Sequence, residues 1–365
     1  MSRSVQTPPN MSLKDRLIRQ IRMDGPMPVS AFMQTCLHDP KDGYYANGAG
    51  LGQDFITAPE TSQMFGELLG LWLVNELRTL GSPTKFNLVE MGGGRGTLMA
   101  DAIRAAHAAS DANFANAACL ELIEASPAMR EMQANKLAQY SPSFKDSLED
   151  VAPDITFIIA NEFLDCLPAR QFVREGQVWR ERIIGLGEDG DLAFGIDRSD
   201  LTSKAAADMP PVSLSGETEL QPGLDGLIDT LSARAEQGDC FHALFIDYGT
   251  DDHAPTDTLR AYKDGQQVDP LACPGEADLT VDVDFGRLST LASRAGLQVS
   301  GPVTQGEFLG KLGLQGRLDM LIKANPEKAQ ALFSGAQKLV DPAEMGTRFK
   351  VICLSSKDMP RPAGF

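Results

Sequence analysis

Phe86 to Met99 reads FNLVEMGGGRGTLM, an apolar run that passes through closely spaced glycines into a helical pattern. Asn87 to Met91 suits a buried strand and Thr97 to Ala109 a helix, so the glycines form the turn between them. Glu90, Gly92, Gly94 and Gly96 give the pattern E-x-G-x-G-x-G. Glycine lets a backbone turn sharply and lets a ligand approach it closely, and the helix that follows offers unpaired N–H groups in its first turn. This is a nucleotide-type pocket. Its alternate-position glycines depart from the dinucleotide fingerprint G-x-G-x-x-G, which disfavours a pyrophosphate binder.

Outward from this turn, strands and helices alternate. Strands are expected at 119–123, 155–160, 242–247, 297–303 and 349–354. Helices are expected at 63–80, 127–140 behind Ser126, 224–235, 284–295, 307–324 and 328–339, with a short one at 163–167. Alternation of this kind makes an α/β fold with a parallel sheet. Residues 171–173 and 178–184 flank Glu175-Gly176 as a hairpin, and 185–222 is polar and aperiodic. The expected organisation is a disordered tail over 1–10, an N-terminal helical cap and lid over 11–82, and a core over 83–355 with insertions at about 170–235 and 304–345.

The chain has 365 residues, 42% of them hydrophobic, enough for a substantial core. Its formal charge of −17 disfavours broad nucleic-acid binding, which needs clustered cations. Six cysteines without a C-x-x-C pair and four histidines without zinc spacing predict a reducing compartment and no metal. No apolar run reaches membrane-spanning length, and the polar first ten residues, with Arg3 and no acid, read as a tail rather than a targeting segment.

Ligands of open α/β sheets sit beyond the carboxyl ends of the strands. The residues ending the proposed strands are Glu90, Glu124, Asn161 with Glu162, and Asp247. Any one of them alone reads equally as a helix cap or loop acid, and Glu162 in particular as the cap of 163–167. Together they describe a polar pocket on one rim. Glu124 ends the second strand, where an acid can accept from both hydroxyls of a ribose. Cys166 has no histidine nearby in sequence and reads as an ordinary buried thiol.

The segments DPKDGYY, DFITAPETSQMFGELLGLW, LVEMGGGRGTLM, ANEFLDCLPARQF, WRER, DYG, DLTVDVDF and MGTRFKV carry a closer resemblance. Across about 12–354 the chain resembles the class I S-adenosylmethionine methyltransferases, and within them the MidA-like proteins, which include a mitochondrial arginine methyltransferase that assists assembly of respiratory complex I. Gly93 stands where that family usually has proline, and Leu164 and Cys166 stand where NEFFDALP would be typical.

The resemblance implies a Rossmann-like, seven-stranded, mostly parallel sheet with an antiparallel final strand from Phe349. It implies S-adenosyl-L-methionine passing over Gly92, Gly94 and Gly96, with Glu90 at its amino or sulfonium end and Glu124 on the ribose. Asp54 and Thr57 would fold over the cofactor with 43–45 as a lid. Glu162 would fix an acceptor guanidinium, Asn161 would position the acceptor nitrogen beside the cofactor, Asp165 would be a second acid, and Asp247 would line the acceptor groove. The implied activity is protein arginine N-methylation of a complex I (NADH:quinone oxidoreductase) subunit during assembly, in a bacterial cytoplasm or, for a eukaryotic chain, the mitochondrial matrix. A small-molecule N- or O-methyltransferase and a non-catalytic chaperone that binds the cofactor structurally are the alternatives, and a homodimer is left open.

Overall fold

The computed structural model describes residues 11–46, 57–109, 113–176, 178–198, 216–252 and 255–365. Asp54 and the 47–53 loop lie outside them.

Seven strands build the central sheet: β1 Phe86–Met91, β2 Ala118–Ile123, β3 Ser143–Lys145, β4 Ile155–Asn161, β5 Cys240–Thr250, β6 Gln298–Thr304 and β7 Phe349–Ser355. Their order is β6-β7-β5-β4-β1-β2-β3, with Val283–Asp284 adding a short parallel pairing to the end of β5. β7 runs antiparallel to both β5 and β6, and the other main pairings are parallel. The expected antiparallel final strand is therefore present. β1 is buried at every position, as a strand covered by helices on both faces must be.

The pleat divides the core. Leu88, Phe157 and Ile159 face the helices Gln63–Thr79 and Thr97–Ala109, packing with Phe65, Leu69 and Trp72. Val89, Ile158 and Phe245 face the other way, against the helices Pro222–Glu236 and Phe285–Arg294. A third cluster joins Leu17 and Phe32 of the N-terminal helices Leu13–Asp24 and Val29–His38 to Ile184, Ala261 and Leu279. Among the described residues no helix is long and apolar enough to cross a membrane.

Several expectations are corrected. The helix Pro222–Glu236 buries Leu224 and Leu231 against the sheet, so it belongs to the core rather than to an insertion running to 235. The hairpin forms and grows into a sheet in which Val178–Leu186 pairs with Arg170–Glu175, Leu192–Ile196 and Met27–Pro28. The helix expected over 307–324 is two helices, Gln305–Lys311 and Leu314–Ala324, separated at Gly313, whose φ of 92° no helix accommodates. Residues 163–167 form turns and not a helix. The edge strand Ser143–Lys145 and the small sheet of Arg260–Lys263, Gln266–Val268 and Asp278–Thr280 lack a readable pattern because they are only 3 or 4 residues long.

Candidate active site

The chain leaves β1 toward β2 and β3 on one side and returns to β4 on the other, so the strand order reverses between β1 and β4. The four acid-bearing strand ends come from β5, β4, β1 and β2, which are consecutive in the sheet. They converge on one rim at this switch point, where a crevice opens.

The glycine turn forms its floor. Gly92 donates to Ile123 O at 2.9 Å and Gly96 to Gly93 O at 2.8 Å, and Gly92, Gly94 and Gly96 have φ of 66°, 51° and 72°. A Cβ on Gly92 would lie 2.9 Å from Phe163 Cδ2, whereas one on Gly94 would meet nothing within 4 Å and would project into the crevice. Gly93 answers a different need: a Cβ there would sit 2.5 Å from Glu90 Oε2. The space a proline ring would take is filled by that carboxylate.

Glu90 is 3% exposed, and burial, reinforced by the charge of Glu124, pushes its pKa up to about 8. Glu124 is fixed more firmly. Its Oε1 accepts from Ser126 N at 2.8 Å and its Oε2 from Gln133 Nε2 at 3.1 Å, while burial raises its pKa. Gln133, fully buried, also donates to Gly94 O at 2.8 Å and so ties the ribose-type acid to the glycine turn. Sequence reasoning passed over Gln133, although a glutamine on the buried face of the Pro127–Lys136 helix was a usable signal.

On β4, Asn161 and Glu162 lie at the strand end as expected. Glu162 N still donates to Ile246 O at 2.9 Å, but its φ of 52° turns the chain sharply away from the sheet. A non-glycine residue held in that region is a strained position of the kind found at functional sites. Glu162 Oε1 accepts from Asn161 Nδ2 at 3.0 Å and from Ala58 N at 3.3 Å. Burial first, then the charge of Asp165, raises its pKa to about 7.

Asp247 does not line the acceptor groove. It is fully buried, its Oδ2 accepts from the N–H groups of Phe163, Leu164 and Asp165 at 2.8–3.1 Å, and its Oδ1 accepts from Tyr248 N at 2.9 Å. Burial and the nearby Asp165 and Glu162 push its pKa up, while two of these N–H donors, those of Asp165 and Tyr248, pull the other way. The cap of the 163–165 turn is thus Asp247, and Glu162, for which capping was the competing reading, instead lines the crevice. Asp165 accepts from Tyr248 OH at 2.6 Å and Thr280 Oγ1 at 2.9 Å. Asp284 caps the helix Phe285–Arg294 by accepting from Arg287 N at 2.7 Å.

Three cavities meet here. The first, about 280 Å³, lies over Gly92, Gly94 and Glu124, with Met129, Tyr44 and Tyr45 in its walls. Tyr44 and Tyr45 are packed edge to face with centroids 5.4 Å apart, and their N–H groups bond to Cys36 O and Leu37 O, so 43–45 is a wall and not a loose flap. The second, about 90 Å³, contains Glu90, Gly93, Asn161 and Thr57. The third, about 300 Å³, lies beside Tyr248, Thr280 and Arg348. Glu162 lines all three.

Two buried acceptors, Glu90 Oε2 and Asn161 Oδ1, have no hydrogen-bond partner among the described residues, and both residues line the small cavity. Such acceptors call for a donor or a cation. A ligand with an amino and a sulfonium group beside a ribosyl nucleoside fits this set, with the larger cavity for the nucleoside and Glu124 at its edge.

This sheet order with a glycine turn at its switch point defines a nucleoside-binding α/β enzyme. A family model described as "Putative S-adenosyl-L-methionine-dependent methyltransferase" matches residues 68–303. The chain is 36% identical over 382 residues to the mitochondrial protein arginine methyltransferase NDUFAF7 homologue of Drosophila melanogaster, covering 94% of this chain and 84% of that one. It is 34% identical over 365 residues to the human mitochondrial protein arginine methyltransferase NDUFAF7, covering 93% and 82%. A Burkholderia thailandensis protein crystallised with S-adenosyl-homocysteine shares the fold at a TM-score of 0.83 and 24% identity, covering 100% of this chain and 97% of that one. The chain therefore belongs to this S-adenosylmethionine-dependent methyltransferase family. It is a methyltransferase, and its cofactor is S-adenosylmethionine.

Proposed function

We propose that the acceptor is an arginine side chain of a protein, and that Glu162 is the group that receives it. The observation carrying this is the position of Glu162, a carboxylate where the two cavities suited to the cofactor meet a third large enough for an acceptor side chain. Relatives over nearly the whole chain being named protein arginine methyltransferases supports the same reading.

The cofactor supplies a methyl group activated by a sulfonium. What the chain must do is bring a nitrogen nucleophile into line with it, keep water away and take up one proton. A guanidinium has donors and no acceptor, so a carboxylate is the natural group to hold it by charge-assisted hydrogen bonds and localise its charge. Glu162, with a pKa of about 7 in the free protein, ionises readily beside a cation and is a suitable acceptor for the proton that the methylated nitrogen gives up. Asn161 holds one oxygen of Glu162 and Asp247 holds the turn that carries it. In this scheme Asp247 is a positioning residue. On the cofactor side, Glu90 and Asn161 receive the amino and sulfonium end, Glu124 the ribose, and Thr57 closes the wall; Asp54, outside the described residues, is proposed to extend that wall.

The proposed substrate is a respiratory complex I subunit, methylated during assembly. Of the two compartments considered, the mitochondrial matrix is favoured by the names of the relatives. Mass spectrometry of complex I from cells with and without the gene tests the substrate. A methylarginine lost on deletion and restored by the purified protein with S-adenosylmethionine is the expected result. An unchanged set of methylarginines in complex I, with tight cofactor binding intact, overturns the complex I substrate and leaves the methyltransferase.

A further inference from the structure

The third cavity reaches the first at Glu162 and Tyr248. Its walls include the strand Arg260–Lys263, the end of the helix Ala329–Val340 and the short helix Met345–Arg348 that follows it. Each contributes one cation, Arg260, Lys338 and Arg348. With 50 acidic residues against 33 basic ones, a cation on this molecule has carboxylates in excess to pair with.

Arg348 is so placed, 3.5 Å from Asp282, and its guanidinium lies 5.1 Å from the centroid of the Tyr248 ring. The Tyr248 hydroxyl is in turn held by Asp165 and Thr280, so that wall is pinned from behind. Arg260 and Lys338 differ. Arg260 spends its Nη1 on the main-chain oxygens of Asp257 and Leu259, both at 2.8 Å, and among the described residues neither Arg260 nor Lys338 forms an ion pair. Two cations without an ion pair thus share a cavity with the partly buried acid Glu162; the other acids of that cavity are Asp282, paired with Arg348, and Glu344. This is a two-point template: an acid for a cation, and cations for an acid.

Resting on the arginine reading above, we propose that this cavity selects arginines that have an acidic residue close by in the substrate, Arg260 and Lys338 binding that carboxylate while Glu162 binds the guanidinium. Charge-assisted contacts at a partly exposed site are worth a modest but measurable discrimination, about tenfold in KM.

The test is methyl transfer by the full chain to synthetic peptides carrying a single arginine, with glutamate scanned through the flanking positions and glutamine as the matched neutral. For at least one placement the glutamate peptide should show a KM about tenfold lower than its glutamine counterpart, and added salt should narrow that gap. The pair R260E and K338E should raise KM for the glutamate peptide and not for the glutamine peptide, while affinity for S-adenosylhomocysteine by calorimetry stays the same, which also certifies the fold. K323E, on the neighbouring helix away from the cavity, is the control and should change nothing. Equal KM for glutamate and glutamine peptides at every placement, or a rise for both peptides in the variants, overturns the inference and leaves arginine methylation standing. Absence of methylarginine in every peptide, with the cofactor bound, sinks both.

Discussion

At the scale of single residues the site separates groups that touch ligands from groups that aim them. Glu162→Gln keeps the shape and the hydrogen bond from Asn161 Nδ2 but removes the charge, so kcat should fall by about 10²- to 10⁴-fold. Calorimetry should find affinity for S-adenosylhomocysteine within a few-fold of wild type; a variant that kept most of its turnover would end the case for Glu162. The same group sets a pH dependence. Its carboxyl titrates near pH 7 in the free protein, and only the ionised form holds a guanidinium and accepts a proton, so kcat/KM should climb as pH rises through about 7 and level off above it. Gly94→Val probes the other side of the crevice. At φ 51° a β-branched side chain costs roughly 1–3 kcal/mol in backbone strain, and a Cβ there meets nothing within 4 Å, so the variant should fold. Its side chain would stand in the cofactor cavity, and titration should show cofactor binding lost.

At the scale of elements, the lesson concerns the turn after β4. Asp247→Ala would strand four main-chain N–H groups in a buried place, at about 1–3 kcal/mol for each group left unsatisfied. Denaturant unfolding should report a loss of several kcal/mol, and turnover should fall although Glu162 is intact. Asp247→Asn retains an oxygen that can accept the three N–H groups and should recover much of both. Sequence alone located these strand ends and set Glu162 toward the crevice but misjudged Asp247, because which carboxylate caps the 163–165 turn depends on β5 lying beside β4, a contact 82–84 residues away in the chain. The long apolar strands, the glycine turn and the helix start at Ser126 were legible because each is written in a few adjacent residues. The three-residue edge strand, the break at Gly313 and the bridge from Gln133 to the glycine turn were not, since each is decided by partners distant in sequence.

At the scale of the whole molecule, the site is assembled from carboxyl groups kept in unfavourable surroundings, and that should be visible in stability. Glu90 and Glu162 hold their protons up to about pH 8 and 7, whereas an unfolded chain releases them near 4.3. Between these limits the folded protein binds more protons than the unfolded one, so stability is highest at the acidic end of the window and declines as pH rises. The cofactor-free protein should therefore melt at progressively lower temperature from about pH 5 to pH 8. Glu90→Gln and Glu162→Gln should each flatten part of that slope, the first at its upper end. S-adenosylmethionine bears a sulfonium and an amino group, and its binding favours the ionised form of a carboxyl beside it. At pH 7 its binding should therefore release protons, detected as a dependence of the calorimetric enthalpy on the ionisation enthalpy of the buffer. Glu90→Gln should abolish most of that release. A binding enthalpy independent of buffer, with a melting temperature flat from pH 5 to 8, would show that neither carboxyl is held protonated in the empty site. The charge of Glu162 would then have to be in place before the acceptor arrives, and the rise of activity through pH 7 would have to come from another group.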